Sequence, residues 1–527
     1  MGKDVRDGAK DAIGAEKCDH GDVQTFVHTI RRALALAPDR EALVCGPDRL
    51  TYRQFGSRLR RLNGLLNEFG LEQGDRIAVL SFNSIPFIEL YCAISMSGRA
   101  QVPLNFRWAE PELAYALEDS GARVLFCDRD PGALADLVER VIRIDLGEYD
   151  EAVNGADELE FDDRAVDEHD LAGLFYTGGT TGVSKGVMLT HRNLIANAWN
   201  MQVTQPLNRD DRFLIVAPLF HAAGSVSVLQ SILMGATQVI LPVFDPGTML
   251  DLIQNERITQ TLGVPTMVAA TVEEQLLRPR DVSSFTVYAH GGSPIAMEVV
   301  RRGVDAFPGT QFMHFYGATE TSPIISGLTD ENQRLGTDRE KSAGLPVLGC
   351  EIEIRDSDGH SLPAGEPGEV TVRGANVMVG YWNKPEQTEA ALRDGWYWTG
   401  DIGSLDEDGF LFLLDRSKDM MISGGENIYC TEVEDALYKH PAVLEATVFG
   451  IPSEQWGEAV HAVVVLRPGS VADEDDLIDH CRSAIAHYKA PRSIAFSTDP
   501  LPKSGPGKVL KRELRAPHWA NRDGSIG

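Results

Sequence analysis

Residues 213–244, FLIVAPLFHAAGSVSVLQSILMGATQVILPVF, contain no Asp, Glu, Lys or Arg. By length alone such a run permits a membrane-spanning helix, which needs about 20 apolar residues. Pro218, Gly224, Gly235 and Pro242 instead divide it into a short strand, a loop, a helix and a second strand. Strands without a polar face belong to sheets covered on both sides. The run therefore predicts helix-covered, mostly parallel sheets, with a spanning helix as the alternative.

The residues before it repeat the same alternation. Phe55, Leu59, Leu62, Leu66 and Phe69 recur at helical spacing, and Gly70 stands where a helix C′ residue would. Asp75-Arg76 leads into the apolar strand Ile77-Ala78-Val79-Leu80. A second helix near 86–98 and a strand at Arg123-Val124-Leu125-Phe126 follow. The acidic stretch 145–170 reads as an exposed connector. From about residue 345 short alternating strands, Cys350–Ile354 and Glu369–Val372, predict a small β-rich subdomain. Beyond Asp415-Arg416-Ser417-Lys418-Asp419 a compact α+β unit is expected. It opens on a capping box at Thr431–Glu434 and contains strands at 446–449 and 462–466.

A chain of 527 residues holds roughly three to four domain-sized units. With 43% hydrophobic and 24% charged residues it has the composition of a globular protein. A net charge of −29 repels nucleic acid and anionic membranes, although local Lys and Arg still permit an anionic ligand. Cys18, Cys45, Cys92, Cys127, Cys350, Cys430 and Cys481 are scattered, without a C-x-x-C pair. They suit a reducing, cytoplasmic setting better than a disulfide framework or a zinc site. The charged N-terminus has no apolar h-region, and Arg6 breaks the myristoylation pattern.

Residues 176–186, YTGGTTGVSKG, look suited to phosphate, yet they fit neither common nucleotide motif. A P-loop needs Gly directly before Lys and a hydroxyl directly after it; here Ser184 precedes Lys185 and Gly186 follows. The pattern is not G-x-G-x-x-G either. Glycine backbone still offers unhindered N–H groups, and Thr177, Thr180, Thr181 and Ser184 add hydroxyls.

Further stretches follow in order: Pro218-Leu219-Phe220-His221, His290-Gly291-Gly292-Ser293-Pro294, Phe315-Tyr316-Gly317-Ala318-Thr319-Glu320 and Trp398-Thr399-Gly400-Asp401. LLDRSKDMMISGGENIY (413–429) and Pro502-Lys503-Ser504-Gly505-Pro506-Gly507-Lys508 complete the series. Across roughly residues 28–515 the chain closely resembles the adenylate-forming superfamily of acyl-CoA synthetases, peptide-synthetase adenylation domains and beetle luciferases. The resemblance implies an N-terminal extension (1–27), a large α/β adenylation domain (28–415) and a small mobile α+β domain (416–527).

It also implies roles. Thr177, Gly178, Gly179, Thr180, Thr181 and Gly182 would hold the departing β- and γ-phosphates, with Lys185 touching phosphate or anchoring the loop. Tyr316 and Gly317 would lie at adenine, Thr319 at the α-phosphate, and Glu320 would hold Mg²⁺. Asp401, accompanied by Arg416, would bind ribose, and Gly291, Gly292 and Ser293 would line the nucleotide and acyl site. Lys508 would be the catalytic lysine and Lys418 the hinge. Gly424 and Gly425 would border a pantetheine channel, and His221 would stand between acyl and thiol pockets unless it is a core histidine. Gly179, Ser184 and Cys430 depart from the common pattern, where Ser, Pro and Pro are usual.

The implied reaction is chemically coherent. Oxide is a poor leaving group, so a carboxylate becomes an acyl donor only after its attack on ATP makes an acyl-adenylate. Catalysis then rests on orientation and electrostatics. The expected partners are a small carboxylic acid, ATP, Mg²⁺ and coenzyme A, without nucleic acid or an integral membrane span; a homodimer stays open. Small residues at Ala222, Ala223, Gly224, Gly291, Gly292, Gly317 and Ala318 favour a medium or long fatty acid or an aromatic acid over acetate. The alternatives are loading of a carrier protein in trans, a non-catalytic acyl- or nucleotide-binding scaffold, and acyl transport at a membrane.

Overall fold

The structure is a computed structural model and describes residues 25–162, 165–177, 184–293, 295–416, 421–423, 426–453, 456–503 and 509–519. The uncharged run, with Arg212 just before it, forms the strand Arg212–Ile215, the helix Ala222–Met234 and the strand Thr237–Ile240. The two strands lie side by side and parallel, Phe213 against Gln238 and Leu214 against Val239. The helix packs Val226, Val228, Leu229 and Ile232 into the core and ends on Gly235 in a left-handed turn. No helix among the described residues is long and apolar enough to cross a membrane. Burial on both faces explains the missing charges.

These strands belong to a nine-stranded sheet whose centre is parallel and includes Gln260–Gly263, Val287–Gly291 and Gln311–Tyr316. A second, seven-stranded sheet runs Gly380–Tyr381, Lys185–Thr190, Leu171–Thr177, Ala100–Pro103, Arg76–Leu80, Val124–Cys127, Arg140–Arg143. Its first three strands pair antiparallel and the rest parallel. The helix Tyr52–Glu68 starts at a capping box between Thr51 and Gln54 and buries Phe55, Leu59, Leu62 and Leu66. Each such side chain stabilises the fold by roughly 1.5–3 kcal/mol. A third, antiparallel sheet joins Cys350–Arg355, Gly368–Gly374, Trp396–Leu405, Leu392–Arg393 and Leu411–Arg416, as the short alternating strands predict.

The small C-terminal unit is built on the hairpin Val443–Ser453 and Gly457–Leu466, longer than expected, with Ser493–Phe496 parallel to its second strand. The helices Cys430–Tyr438 and Glu474–Ala484 cover it through Val433, Leu437, Leu477 and Ile478.

Two local expectations fail. The acidic stretch 145–170 is not simply an exposed connector, because Glu148–Gly155 is a helix that buries Tyr149 and Val153. Its acidic residues occupy outward positions and mask the i, i+4 apolar pair. Tyr149 Oη donates to Glu89 Oε2 at 2.7 Å, and Arg58 Nε donates to Glu89 Oε1 at 2.5 Å. The Thr431–Glu434 capping box is also absent. The helix begins two residues earlier than that box requires, at Cys430 with Tyr429 as its cap, and the Thr431 hydroxyl donates to the Leu414 carbonyl instead. Glu434 Oε1 accepts from Val448 N at 2.8 Å.

Candidate active site

The two ends of the phosphate-like stretch belong to neighbouring antiparallel strands. Thr177 ends one strand, Lys185 begins the next, and the two are register partners. A P-loop leads from strand to helix, so this strand-to-strand pairing accounts for the failed spacing. Gly178, Gly179, Thr180, Thr181 and Gly182 lie outside the described residues. Lys185 Nζ stands 4.7 Å from the centre of the Tyr381 ring. Tyr381 reaches it because Gly380–Tyr381 adds to the edge of Lys185–Thr190, placing Tyr381 opposite Val187.

The central parallel strands deliver the next group. Val287–Gly291 ends at Gly291, where an added Cβ would stand 2.4 Å from the Phe315 carbonyl oxygen. Gly292 and Ser293 continue from this end. Gln311–Tyr316 leads into Gly317, Ala318 and the short turn Thr319–Thr321 that carries Glu320. Side chains from outside hold this irregular segment. Asn376 Nδ2 donates to Thr321 O and Ile324 O at 2.8 and 3.1 Å, and Asn197 Nδ2 donates to the same pair at 3.2 and 2.7 Å. Glu320 is held at both ends: its carbonyl accepts from Met378 N, and its Oε1 accepts from Tyr381 Oη, each at 2.8 Å.

The antiparallel sheet supplies the third group. Asp401 lies on Trp396–Leu405 opposite Arg416 on Leu411–Arg416. Asp401 Oδ2 accepts from Tyr316 Oη at 2.6 Å. Its neighbour Gly400 donates its N–H to Glu369 Oε1 at 2.9 Å. Burial pushes the Glu369 carboxyl above its ordinary range, and the Asp401 charge adds to the shift. Tyr397, on the same strand, is buried where the charges of Glu320 and Asp401 both reach it. Burial, then those charges, keep its phenol protonated well beyond the normal range.

His221 sits at the start of Ala222–Met234, its ring 4.3 Å from Phe220. Its Nε2 is buried without a hydrogen-bond partner among the described residues. Burial, and secondarily Arg107, lowers its pKa to about 3, so the imidazole is neutral. His191 and His290 are likewise buried with one ring nitrogen unpartnered among the described residues, although His290 Nε2 stands 2.8 Å from Glu331 Oε2.

Tyr316, Glu320 and Asp401 thus converge where three sheets meet, beside Thr177, Lys185 and Gly291. A sequence profile of the AMP-binding enzyme matches residues 30–382, and one of the AMP-binding enzyme C-terminal domain matches residues 432–508. The chain belongs to the AMP-binding enzyme family. Among its relatives, feruloyl-CoA synthase from Amycolatopsis sp is 41% identical over 92% of this chain and 97% of its own length. Long-chain-fatty-acid–CoA ligase from Bacillus subtilis is 34% identical over 93% of this chain and 94% of its own. The solved structure of O-succinylbenzoate coenzyme A synthetase from Bacillus subtilis, in complex with ATP and magnesium ion, superposes with a TM-score of 0.83. It is 32% identical and covers 92% of this chain and 98% of that one.

Lys418, Gly424, Gly425 and Lys508 lie outside the described residues of this AMP-binding enzyme, as does the Arg416 side chain. The motif-by-motif reading missed Tyr381, Tyr397, Asn197 and Asn376. The Gly380-Tyr381-Trp382 stretch was the available signal for the first. Tyr397 directly precedes the Trp398–Asp401 stretch on the same strand, whereas Asn197, on the helix His191–Thr204, and Asn376 reach the site only through tertiary packing.

Proposed function

We propose that this AMP-forming acid–thiol ligase joins an aromatic carboxylic acid to coenzyme A in two steps. One observation carries the ATP site: the 316–320 segment is tied to the antiparallel sheet through Tyr316–Asp401 and to the seven-stranded sheet through Glu320–Tyr381. Those bonds hold an aromatic ring and two carboxylates at fixed separations before any ligand arrives.

In the first step the substrate carboxylate attacks the α-phosphorus of ATP, and the bond to the pyrophosphate oxygen breaks. Tyr316 and Gly317 would face adenine, Asp401 and Arg416 the ribose, and Thr319 the α-phosphate. Thr177 to Gly182, with Lys185, would receive the β- and γ-phosphates. Glu320 suits magnesium, since a half-buried carboxylate offers the hard oxygen that ion prefers; when bound, the ion neutralises phosphate charge. Lys508 would offset charge between the carboxylate and the α-phosphate.

In the second step the thiol of coenzyme A attacks the acyl carbonyl, and AMP leaves. Rotation of the small domain about Lys418 would exchange Lys508 for Gly424 and Gly425, opening the thiol path. The domain limits that serve this motion are 28–415 and 416–527, after the 1–27 extension. The neutral His221, whose Nε2 has no partner among the described residues, would stand between the acyl and thiol pockets. The six described cysteines form no disulfide among the described residues, which suits a reducing cytoplasm.

The aromatic acid is favoured by the 41% identity to feruloyl-CoA synthase. Pyrophosphate release should be fastest with hydroxycinnamic or related aryl acids in a panel that includes straight-chain acids. Faster turnover of a long-chain acid would overturn the aromatic assignment. Free coenzyme A should accelerate AMP release; acceleration by a carrier protein alone would move the acceptor to a carrier in trans.

A further inference from the structure

Tyr381 belongs to none of the stretches that mark the nucleotide site, yet it connects two of them. Its hydroxyl donates to Glu320 Oε1 at 2.8 Å, and its ring carries the Lys185 ammonium 4.7 Å from its centre. Tyr381 is itself buried, with 7% of its surface exposed, and its backbone N–H donates to Thr388 Oγ1 at 2.9 Å. The following residue is fixed on both sides. Trp382 N donates to Gly186 O at 2.8 Å, and its indole Nε1 donates to Asp119 O at 2.9 Å. The tyrosine is therefore anchored by the strand pair that flanks the phosphate-like stretch.

A phenol that donates to one carboxylate oxygen fixes the rotation of that carboxylate and leaves the other oxygen directed elsewhere. Such outer partners orient metal-holding groups and affect metal affinity by about 10–100-fold. An ammonium over an aromatic face is likewise held in place without losing its charge. Desolvation by burial, and then the Glu320 charge, keep the Tyr381 phenol protonated and able to donate.

We propose that Tyr381 is a positioning residue that sets the Glu320 carboxylate for the divalent cation of the metal–ATP complex and holds Lys185 at the phosphate loop. This rests on the reading of Glu320 as the metal-holding carboxylate. It makes the 375–381 strap a mechanical link between two parts of the nucleotide site. Asn376, Met378 and Tyr381 of that strap all contact the 320–324 segment.

The test is equilibrium binding of ATP to the full chain without acid or coenzyme A, once with Mn²⁺ and once with chelator. Tyr381→Phe keeps the ring and removes the hydroxyl. It should weaken binding of Mn²⁺–ATP about tenfold and leave metal-free ATP binding at the wild-type value. Unchanged Mn²⁺–ATP affinity would overturn the proposal. So would an equal loss in both forms, which marks a merely structural role. Tyr381→Leu should in addition weaken metal-free ATP, because Lys185 loses its platform; metal-free binding equal to that of Tyr381→Phe would overturn the Lys185 half. Glu320→Gln separates the two layers of argument. If it retains the Mn²⁺-dependent gain in affinity, the metal role of Glu320 falls, and the Tyr381 proposal with it. If it loses that gain while Tyr381→Phe retains it, only the Tyr381 proposal falls.

Discussion

Gly317→Ala should disable the enzyme through backbone geometry alone. A Cβ at this position would lie 1.8 Å from the Pro323 carbonyl oxygen, 2.8 Å from its carbon and 3.1 Å from Ile324 Cα. All three are main-chain atoms, so no rotamer change relieves the clash. The two backbone stretches must part by roughly 1 Å or more, and overpacking of this kind costs about 1–3 kcal/mol. The opposing stretch is pinned in turn, since Asn197 and Asn376 both hold the Ile324 carbonyl. The displacement therefore passes to Thr319 and Glu320, within the same turn. A misplacement of about 1 Å at reacting groups is worth on the order of 100-fold in rate. ATP–pyrophosphate exchange should fall by roughly that factor, with a lowered melting temperature. Gly309→Ala, in the turn before Gln311–Tyr316, is the control. Its Cβ meets nothing within 4 Å, although the φ of +86° strains any other residue. It should cost about 1 kcal/mol of stability and far less exchange activity. Wild-type exchange in Gly317→Ala, or equal losses in the two variants, would refute the reasoning.

Tyr316→Phe removes the donor to Asp401 Oδ2, and hydrogen bonds to charged groups are worth about 1.5–3 kcal/mol. The KM for ATP should rise roughly tenfold or more with the KM for the acid unchanged, as steady-state pyrophosphate release would record. Lys508→Ala should slow adenylate formation by about 100-fold or more, yet leave thioester formation from supplied acyl-adenylate close to wild type. Equal losses in both half-reactions would contradict the assigned role. His191 is fully buried, its Nδ1 accepts the Phe26 N–H, and burial lowers its pKa from 6.5 to about 3. The unfolded chain takes up a proton between those values that the folded chain refuses. Stability therefore falls as pH drops through 6.5, by roughly 2 kcal/mol at pH 5 from this group. His191→Gln should flatten the pH dependence of the melting temperature over that range, and an unchanged slope would remove His191 as its source.

Much of the reaction chemistry was legible in short, contiguous stretches. A run of glycines and hydroxyls, an aromatic–Gly–x–Thr–Glu turn and an Asp after Thr-Gly announce themselves, because each needs specific residues at adjacent positions. The helix-covered sheets were equally legible, since burial on both faces excludes charge from whole strands. The helix Glu148–Gly155 was hidden because its acidic exposed face outweighed the buried pair Tyr149 and Val153. Thr431 was misread because a capping pattern competes with any nearby carbonyl, and Leu414 lies far away in sequence.

Local sequence thus determined which side chains are available and which elements carry them. Tertiary structure alone decided their partners: Tyr316 with Asp401, Glu320 with Tyr381 and Lys185, Asn197 with Asn376 on a common pair of carbonyls. The reason is physical. A propensity or an apolar period acts over a few residues, whereas these bonds join three sheets and depend on the register in which strands pair and helices pack.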